Sequence, residues 1–125
     1  MRALPRKRFV LVADDNRDIA WGLTLLLKLA GFDVKTVHDG REAVAALAER
    51  LPDIALLDIG LPGLSGFEVA ERIRAKQGTQ AVLVIAISGY HPDMLRANFL
   101  WSIFDHHFVK PVDFETLLPL LNKAS

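Results

Sequence analysis

The chain has 125 residues, the size of one ordinary domain, and its 15 lysines and arginines balance its 15 aspartates and glutamates. A net charge of zero argues against broad, unspecific nucleic-acid binding, and the lack of cysteine excludes disulfides, thiol nucleophiles and thiolate metal ligands. No apolar run approaches the roughly 20 residues that span a bilayer, and the start has no signal-peptide core. We therefore expect one cytoplasmic domain over residues 1–125, with a flexible basic tail over residues 1–7.

The first half of the chain alternates short apolar strands with helical patterns. After the first strand, Ile19, Leu23 and Leu26 recur at helical spacing, which predicts a helix with one apolar face that Gly31 is suited to end. A weaker strand then alternates apolar with polar residues, a pattern typical of the edge of a sheet. Asp39 follows it in the position of a helix cap.

The second half continues the alternation. Ser65 is placed to cap a third helix, Pro92 suits the first turn of a fourth, and Asp113 is placed to cap a last helix. Pro119 should kink that helix or split it into two short turns. The predicted strands cover residues 9–13, 34–37, 54–58, 81–87 and 106–109, and the predicted helices cover residues 17–30, 40–51, 65–77, 92–101 and 113–121.

The order of these elements is strand, helix, strand, repeated to five of each. Strands that alternate with helices imply the α/β class, with a parallel, doubly wound sheet covered on both faces and joined by right-handed crossovers. The strand over residues 54–58 runs four apolar residues directly into Asp58, as in a strand buried on both faces. The chain then enters a loop with Gly60 and Pro62.

Polar side chains collect at the carboxyl ends of the strong strands: Asp14 and Asp15, Asp58, Ser88 and Lys110. Asp58 alone could be a turn residue, but these ends meet at one rim of a parallel sheet, where ligands bind. Three carboxylates together require a cation, and oxygen ligands of this kind suit Mg²⁺. A hard cation, a lysine and a hydroxyl around one carboxylate favour phosphoryl transfer to Asp58.

Four segments at these strand ends resemble the receiver domains of two-component response regulators. They are Val12-Ala13-Asp14-Asp15-Asn16, the stretch from Leu57-Asp58 to Ser65-Gly66, Ile87-Ser88-Gly89, and Val109-Lys110-Pro111. Each segment alone is weak evidence for this family, but the four together, in this order and at these strand ends, are specific to it. The resemblance implies a flavodoxin-like (βα)₅ sheet of strand order 2-1-3-4-5.

The resemblance also implies residue roles in the acidic site. Asp58 would be the phosphoacceptor. Mg²⁺ would be bound by Asp15, Asp58 and the backbone carbonyl of Gly60, with Asp14 acting through water. Lys110 would contact the phosphoryl group.

A second set of implied roles concerns the switch. Ser88 stands at the switch hydroxyl position, and His107 stands where a tyrosine or phenylalanine is usual. The bond between Lys110 and Pro111 is expected to be cis. A metal site formed by His106 and His107 is disfavoured, because neighbours on a strand point to opposite faces.

The segment over residues 99–104 departs from the family pattern. Ser102 and Ile103 stand where a small residue and a glycine usually end the fourth helix, and Ile103 resists a left-handed cap. These apolar side chains could complete the core. Alternatively, Phe99 or Trp101 could form a surface for a homodimer or an effector.

The function implied is a phosphorylation-controlled switch. A histidine kinase or a histidine phosphotransfer domain would dock near the first helix and the Asp58 rim, and phosphorylation would change the surface of the fourth helix, last strand and last helix. The chain would catalyse only its own phosphorylation and dephosphorylation, either as a stand-alone receiver or as part of a hybrid kinase, without binding nucleic acid or membrane.

Two other functions stay open at this point. One is a pseudo-receiver that binds partners without phosphorylation. The other is an aspartyl-phosphate hydrolase, which is disfavoured because Gly60 occupies the position of the second aspartate that such enzymes need. A nucleotide-binding module is weaker still, because no glycine-rich loop follows the first strand.

Overall fold

The computed structural model of the chain describes residues 7–78, 81–89 and 102–123. Five parallel strands form one sheet in the order β2-β1-β3-β4-β5, so the predicted α/β fold and strand order are confirmed. The strands are β1 Phe9–Ala13, β2 Asp33–Val37, β3 Ile54–Asp58, β4 Leu83–Ser88 and β5 His106–Val109. The described helices are α1 Arg17–Leu29, α2 Gly40–Glu49, α3 Gly66–Gln77 and the last helix, Phe114–Lys123.

Some predictions fall on other parts of the chain. The helix predicted over residues 92–101, with the proposed interface residues Phe99 and Trp101, lies outside the described residues, as does most of the predicted basic tail. These predictions stay untested.

Helices cover both faces of the sheet, and each face has its own apolar core. On one face, alternate residues of β1, β3 and β4 pack against α2 and α3; on the other, the intervening residues pack against α1 and the last helix. All five residues of β1 and of β3 are buried, as expected for strands covered on both sides. Both strands are therefore rigid supports for whatever follows them.

Side-chain caps begin the helices at the predicted places. The carboxylate of Asp39 accepts a hydrogen bond from the backbone N–H of Glu42 (2.7 Å), and the hydroxyl of Ser65 accepts one from that of Glu68 (3.3 Å). Asp113 accepts from the N–H of Glu115 at 3.1 Å. Gly31 follows α1 with a positive φ of 99°, which confirms it as the stop of that helix.

The last helix decides one of the two alternatives predicted for Pro119. It is continuous from Phe114 to Lys123 with Pro119 inside it, so the split into two short turns is wrong, and the kink stays a prediction. Leu117 and Leu121 are fully buried, and their packing against the sheet holds the helix together although proline donates no hydrogen bond.

The approach to β5 is fixed by side chains rather than by a glycine cap. Phe104 is buried and meets Phe67 edge-to-face at 5.4 Å between ring centroids. The Arg74 guanidinium donates to the carbonyl of Ile103 from Nη2 (2.6 Å) and Nε (2.9 Å). Phe104 therefore completes the core and Ile103 packs against it, as the first of the two hypotheses expects for these two residues.

Candidate functional site

Three carboxylates meet where β1 and β3 end. Oxygen atoms of Asp14, Asp15 and Asp58 lie within 4.8 Å of one another. β1 and β3 are hydrogen-bonded neighbours in parallel register, so their carboxyl ends coincide. Asp14 and Asp58 are buried, whereas Asp15 is exposed. The predicted acidic group is thus assembled at one rim of the sheet.

Lys110 reaches this group from the end of β5. Its Nζ lies 3.0 Å from Oδ2 of Asp58 and 3.2 Å from Oδ2 of Asp14. The backbone N–H of Lys110 donates to the carbonyl of Ser88 at 2.7 Å, which anchors the lysine to β4. The peptide bond between Lys110 and Pro111 is cis, the isomer expected from the sequence.

The charges in the group are only partly compensated. Burial raises the pKa of Asp14, and it outweighs the lowering by the N–H of Asn16 and the charge of Lys110. Burial also acts to lower the pKa of Lys110, but the hydrogen bond to Asp58 and the charges of Asp14 and Asp58 raise it overall. One ammonium group therefore contacts two carboxylates, Asp14 and Asp58, of a group of three. This oxygen-rich, negative donor set fits a hard divalent cation such as Mg²⁺.

Backbone N–H groups hold the two buried carboxylates in place. The N–H of Gly60 donates to Oδ1 of Asp58, and the N–H of Asn16 donates to Oδ1 of Asp14, both at 2.9 Å. Asp58 is thereby fixed on Oδ1 by the backbone and on Oδ2 by Lys110. Oδ1 of Asp14 accepts from both Asn16 and Lys110 (3.4 Å), and the ammonium also lies 3.2 Å from its Oδ2. The site is rigid at its centre.

Two glycines to which the sequence analysis assigned no role shape the loop after Asp58. A Cβ at Gly66 would lie 2.6 Å from the carbonyl oxygen of Asp58, and a Cβ at Gly40 would overlap the carbonyl oxygen of Leu64. The loop over residues 59–65 is therefore pressed between the starts of α2 and α3. The sequence did contain a signal for these close approaches, because each glycine directly follows a helix-capping residue: Gly40 follows Asp39, and Gly66 follows Ser65.

Ser88 is buried at the end of β4 and bonds to the neighbouring strand. Its Oγ lies 2.8 Å from Nε2 of His107, while burial lowers the pKa of His107. In one neutral tautomer Nε2 accepts a hydrogen bond from the hydroxyl, and in the other it donates one to it. The two residues at the predicted switch positions are therefore in direct contact.

An apolar cavity of about 160 Å³ opens beside the acidic group, between α1 and the segment that follows β5. It reaches the acidic group at Asp14 and Lys110. Its apolar lining comes from Ile19, Leu23, Leu26, Ile87, Pro111, Val112 and Phe114. A partner side chain that enters this cavity would lie against the charged site.

A five-stranded sheet of order 2-1-3-4-5 with three carboxylates and a lysine at its rim defines a CheY-like receiver. The chain belongs to the response regulator receiver domain family, which it matches over residues 10–122. Receiver domains of this family are the phosphorylation switches of two-component signalling.

A sequence relative is also a response regulator. The DNA-binding response regulator MtrA of Mycolicibacterium paratuberculosis is 40% identical over 77 residues, which cover 62% of this chain and 34% of that protein. The chain thus spans about a third of that relative's length.

Solved structures share the fold over nearly the whole chain. A CheY-like receiver domain from Methylobacillus flagellatus has a TM-score of 0.84 at 27% identity and covers 96% of this chain and 100% of its own. The response regulator TrrA of Thermotoga maritima, solved in complex with Mg²⁺-BeF, has a TM-score of 0.81 at 30% identity, covering 94% and 99%.

No helix in the described ranges is both long and apolar enough to cross a membrane.

Proposed function

We propose that this receiver accepts a phosphoryl group on Asp58 from a histidine kinase or a histidine phosphotransfer domain. The observation that carries the proposal is the position of Lys110, whose ammonium lies 3.0 Å from the Asp58 carboxylate inside a group of three carboxylates. A fixed cation beside a buried nucleophile stabilises the charge that develops on a transferring phosphoryl group.

The same carboxylates are the proposed Mg²⁺ site. Asp15 and Asp58 would bind the ion directly with the carbonyl of Gly60, and Asp14 would bind it through water. The oxygen donors within 4.8 Å of one another support this assignment, as does the Mg²⁺-BeF complex of the related TrrA. When bound, Mg²⁺ would neutralise charge on the phosphoryl oxygens.

The chemical step is an in-line displacement at phosphorus. An oxygen of the Asp58 carboxylate forms a bond to phosphorus as the phosphorus–nitrogen bond of the donor phosphohistidine breaks. The leaving imidazole keeps that electron pair and takes a proton from solvent. Lys110 stays protonated throughout, because its carboxylate partners raise its pKa, and it contacts the transferred group.

The proposed switch is the hydroxyl of Ser88. It leaves Nε2 of His107, its partner at 2.8 Å, and donates to a phosphoryl oxygen. The new bond from Ser88 is charge-assisted and contributes roughly 1.5–3 kcal/mol, whereas Lys110 already bonds to Asp58 in the unphosphorylated structure. Phosphorylation shifts the equilibrium between the two conformations only by the contacts that differ between them. We therefore expect that equilibrium to shift by one or two powers of ten, and with it the output surface formed by residues 92–101, β5 and the last helix.

The apolar cavity beside α1 is the proposed docking place of the phosphodonor. Its lining joins Ile19 and Leu26 of α1 to Pro111 and reaches Asp14 and Lys110. A helix of the donor that buries apolar side chains here would hold its phosphohistidine over Asp58. We place this encounter in the cytoplasm, with the receiver alone or as part of a hybrid kinase.

Intact mass measurement tests the phosphoacceptor role. The wild type and the Asp58→Asn variant are incubated with Mg²⁺ and acetyl phosphate. One added phosphoryl group on the wild type and none on the variant is the expected result. An unmodified wild type that still consumes acetyl phosphate indicates rapid turnover.

If neither protein is modified and the donor is not consumed, the switch proposal fails. A phosphorylation-independent binding module then takes its place. A hydrolase is the weaker alternative, because Gly60 supplies no second carboxyl group for acid–base catalysis.

A further inference from the structure

The outward side of α1 carries an apolar stripe formed by Trp21, Leu25 and Leu29. Their exposed fractions are 67%, 46% and 77%, and their spacing of four residues places them on one face of the helix. α1 buries its opposite side against the sheet. Contiguous apolar surface that the fold leaves exposed marks an interaction site.

Gly22 lies within α1 beside this stripe, and the single chain gives no reason for a glycine there. Its φ is not positive, and a Cβ would meet no atom within 4 Å. A glycine inside a helix costs about 0.5–1 kcal/mol relative to alanine. A missing side chain does, however, let the backbone of a second helix approach closely.

Charges at the two ends of the stripe are arranged to complement a second copy of the same helix. Asp18 lies in the first turn of α1 and Lys28 in the last. Neither forms an ion pair within the described parts of the chain. Leu23 lies midway between Asp18 and Lys28.

We propose that α1 packs antiparallel against α1 of a second copy of this chain, about a two-fold axis at the level of Leu23. This pairing sets Asp18 of each copy beside Lys28 of the other. The same axis brings Trp21 of each copy opposite Leu25 of the other, because Leu23 is also midway between those two. The antiparallel helix dipoles add a further favourable interaction.

The expected dimer is weak and concentration-dependent. One helix face buries less than the ~800 Å² per partner of a standard stable interface, so the affinity rests on the tryptophan at its centre. The inference concerns a face apart from the acidic group and does not depend on the phosphoacceptor role of Asp58.

Sedimentation velocity over a concentration series tests the proposal. The wild type should show a reversible monomer–dimer equilibrium, and Trp21→Ser should weaken it by at least about tenfold. Labelling of Asp58 by acetyl phosphate should be unchanged in the variant, since a small donor needs no docking surface. A wild type that stays monomeric at all concentrations overturns the proposal and leaves the stripe to a different protein.

A charge exchange tests the geometry of the pairing. Asp18→Lys alone and Lys28→Asp alone should each be more monomeric than the wild type, because each places like charges opposite one another. An equimolar mixture of the two should dimerise again, since both cross-contacts become attractive. Glu71→Lys, which makes the same charge change as Asp18→Lys on an exposed position of α3, is the control and should behave as the wild type.

Gly22→Ala should change the stability of the monomer and the affinity of the dimer in opposite directions. At low concentration the alanine should stabilise the monomer against unfolding, because its Cβ enters open space. In the same variant the dimer should weaken, because the helices are held apart. Dimers of unchanged affinity in Gly22→Ala, or mixed charge variants that stay monomeric, would contradict the antiparallel α1 pairing.

Discussion

The hydroxyl of Ser88 has two competing uses. In this structure it lies 2.8 Å from Nε2 of His107, whereas the proposed phosphorylated state requires it at a phosphoryl oxygen. Moving the hydroxyl to the phosphoryl oxygen breaks its contact with Nε2, whichever of the two atoms donates that hydrogen bond. His107 should therefore oppose the switch to the phosphorylated state.

Replacing His107 by phenylalanine should increase steady-state phosphorylation of Asp58 by acetyl phosphate. Phenylalanine offers Ser88 no hydrogen-bond partner, and a lost hydrogen bond of about 0.5–1.5 kcal/mol corresponds to about a two- to tenfold change. The phosphorylated fraction is read by intact mass at a fixed donor concentration. His107→Gln, which keeps both a hydrogen-bond donor and an acceptor, is the control. An equal gain from His107→Phe in a Ser88→Ala background would show that the effect bypasses Ser88.

Asp14 is a buried carboxylate that the fold holds beside two others. Burial raises its pKa, which means that its ionised form destabilises the folded chain near neutral pH. Asp14→Asn should therefore raise the free energy of unfolding by about 0.5–2 kcal/mol while it weakens Mg²⁺ binding. Urea unfolding at pH 7 without divalent ions measures the gain. A loss of stability in the variant would mean that Asp14 is needed for packing.

The gain from Asp14→Asn should depend on pH. The pKa of Asp14 is raised above 3.8 in the folded chain, so between 3.8 and the raised value the folded chain binds this proton more tightly than the unfolded chain does. Lowering the pH through that window stabilises the wild type relative to the variant. The difference in unfolding free energy between the two should be largest near pH 7 and shrink toward pH 4. A difference that grows on acidification contradicts this assignment.

At the scale of secondary-structure elements, the loop after β3 is shaped by how closely two helices approach it. Gly66 begins α3 directly against the backbone of Asp58, where a Cβ would lie 2.6 Å from the carbonyl oxygen. The N–H of Gly66 also donates to the carbonyl of Ile59 at 3.2 Å. The start of α3 thus sets the position of the residue that carries the proposed chemistry.

Gly66→Ala should destabilise the fold by about 1–3 kcal/mol, because the added methyl displaces backbone rather than a flexible side chain. It should also slow phosphorylation of Asp58, since the carboxylate moves with its backbone. Thermal unfolding and the acetyl phosphate reaction measure the two effects. Gly22→Ala is the matched control, another helical glycine whose Cβ meets nothing within 4 Å. Equal stability changes in the two variants would remove the steric explanation.

At the scale of the whole molecule, the sequence predicted the sheet because β1, β3 and β4 are nearly continuous apolar runs. Once the strand order is known, the parallel arrangement places the carboxyl ends of β1, β3 and β5 at one rim, and with them Asp14, Asp58 and Lys110. The sequence could not predict contacts between residues that only the folded chain brings together. These are the Ser88–His107 hydrogen bond, the close packing of Gly40 and Gly66 against the loop after β3, and the hydrogen bonds from Arg74 to the carbonyl of Ile103. Arg74 donates to the carbonyl of Val82 at 2.8 Å, which helps explain why β4 begins at Leu83 and not at residue 81.

Mg²⁺ should stabilise the whole domain, because the acidic group brings together ends of strands that are far apart in the sequence. An ion that binds only the folded chain adds about 2.7 kcal/mol at 100 times its dissociation constant. The melting temperature should therefore rise with Mg²⁺ in the wild type and much less in Asp58→Asn, which lacks one proposed ligand charge. Glu49→Gln, which removes an exposed carboxylate of α2 outside the group, should respond as the wild type does. An equal rise in Asp58→Asn would assign the effect to general ionic screening and would remove Asp58 from the ion's ligands.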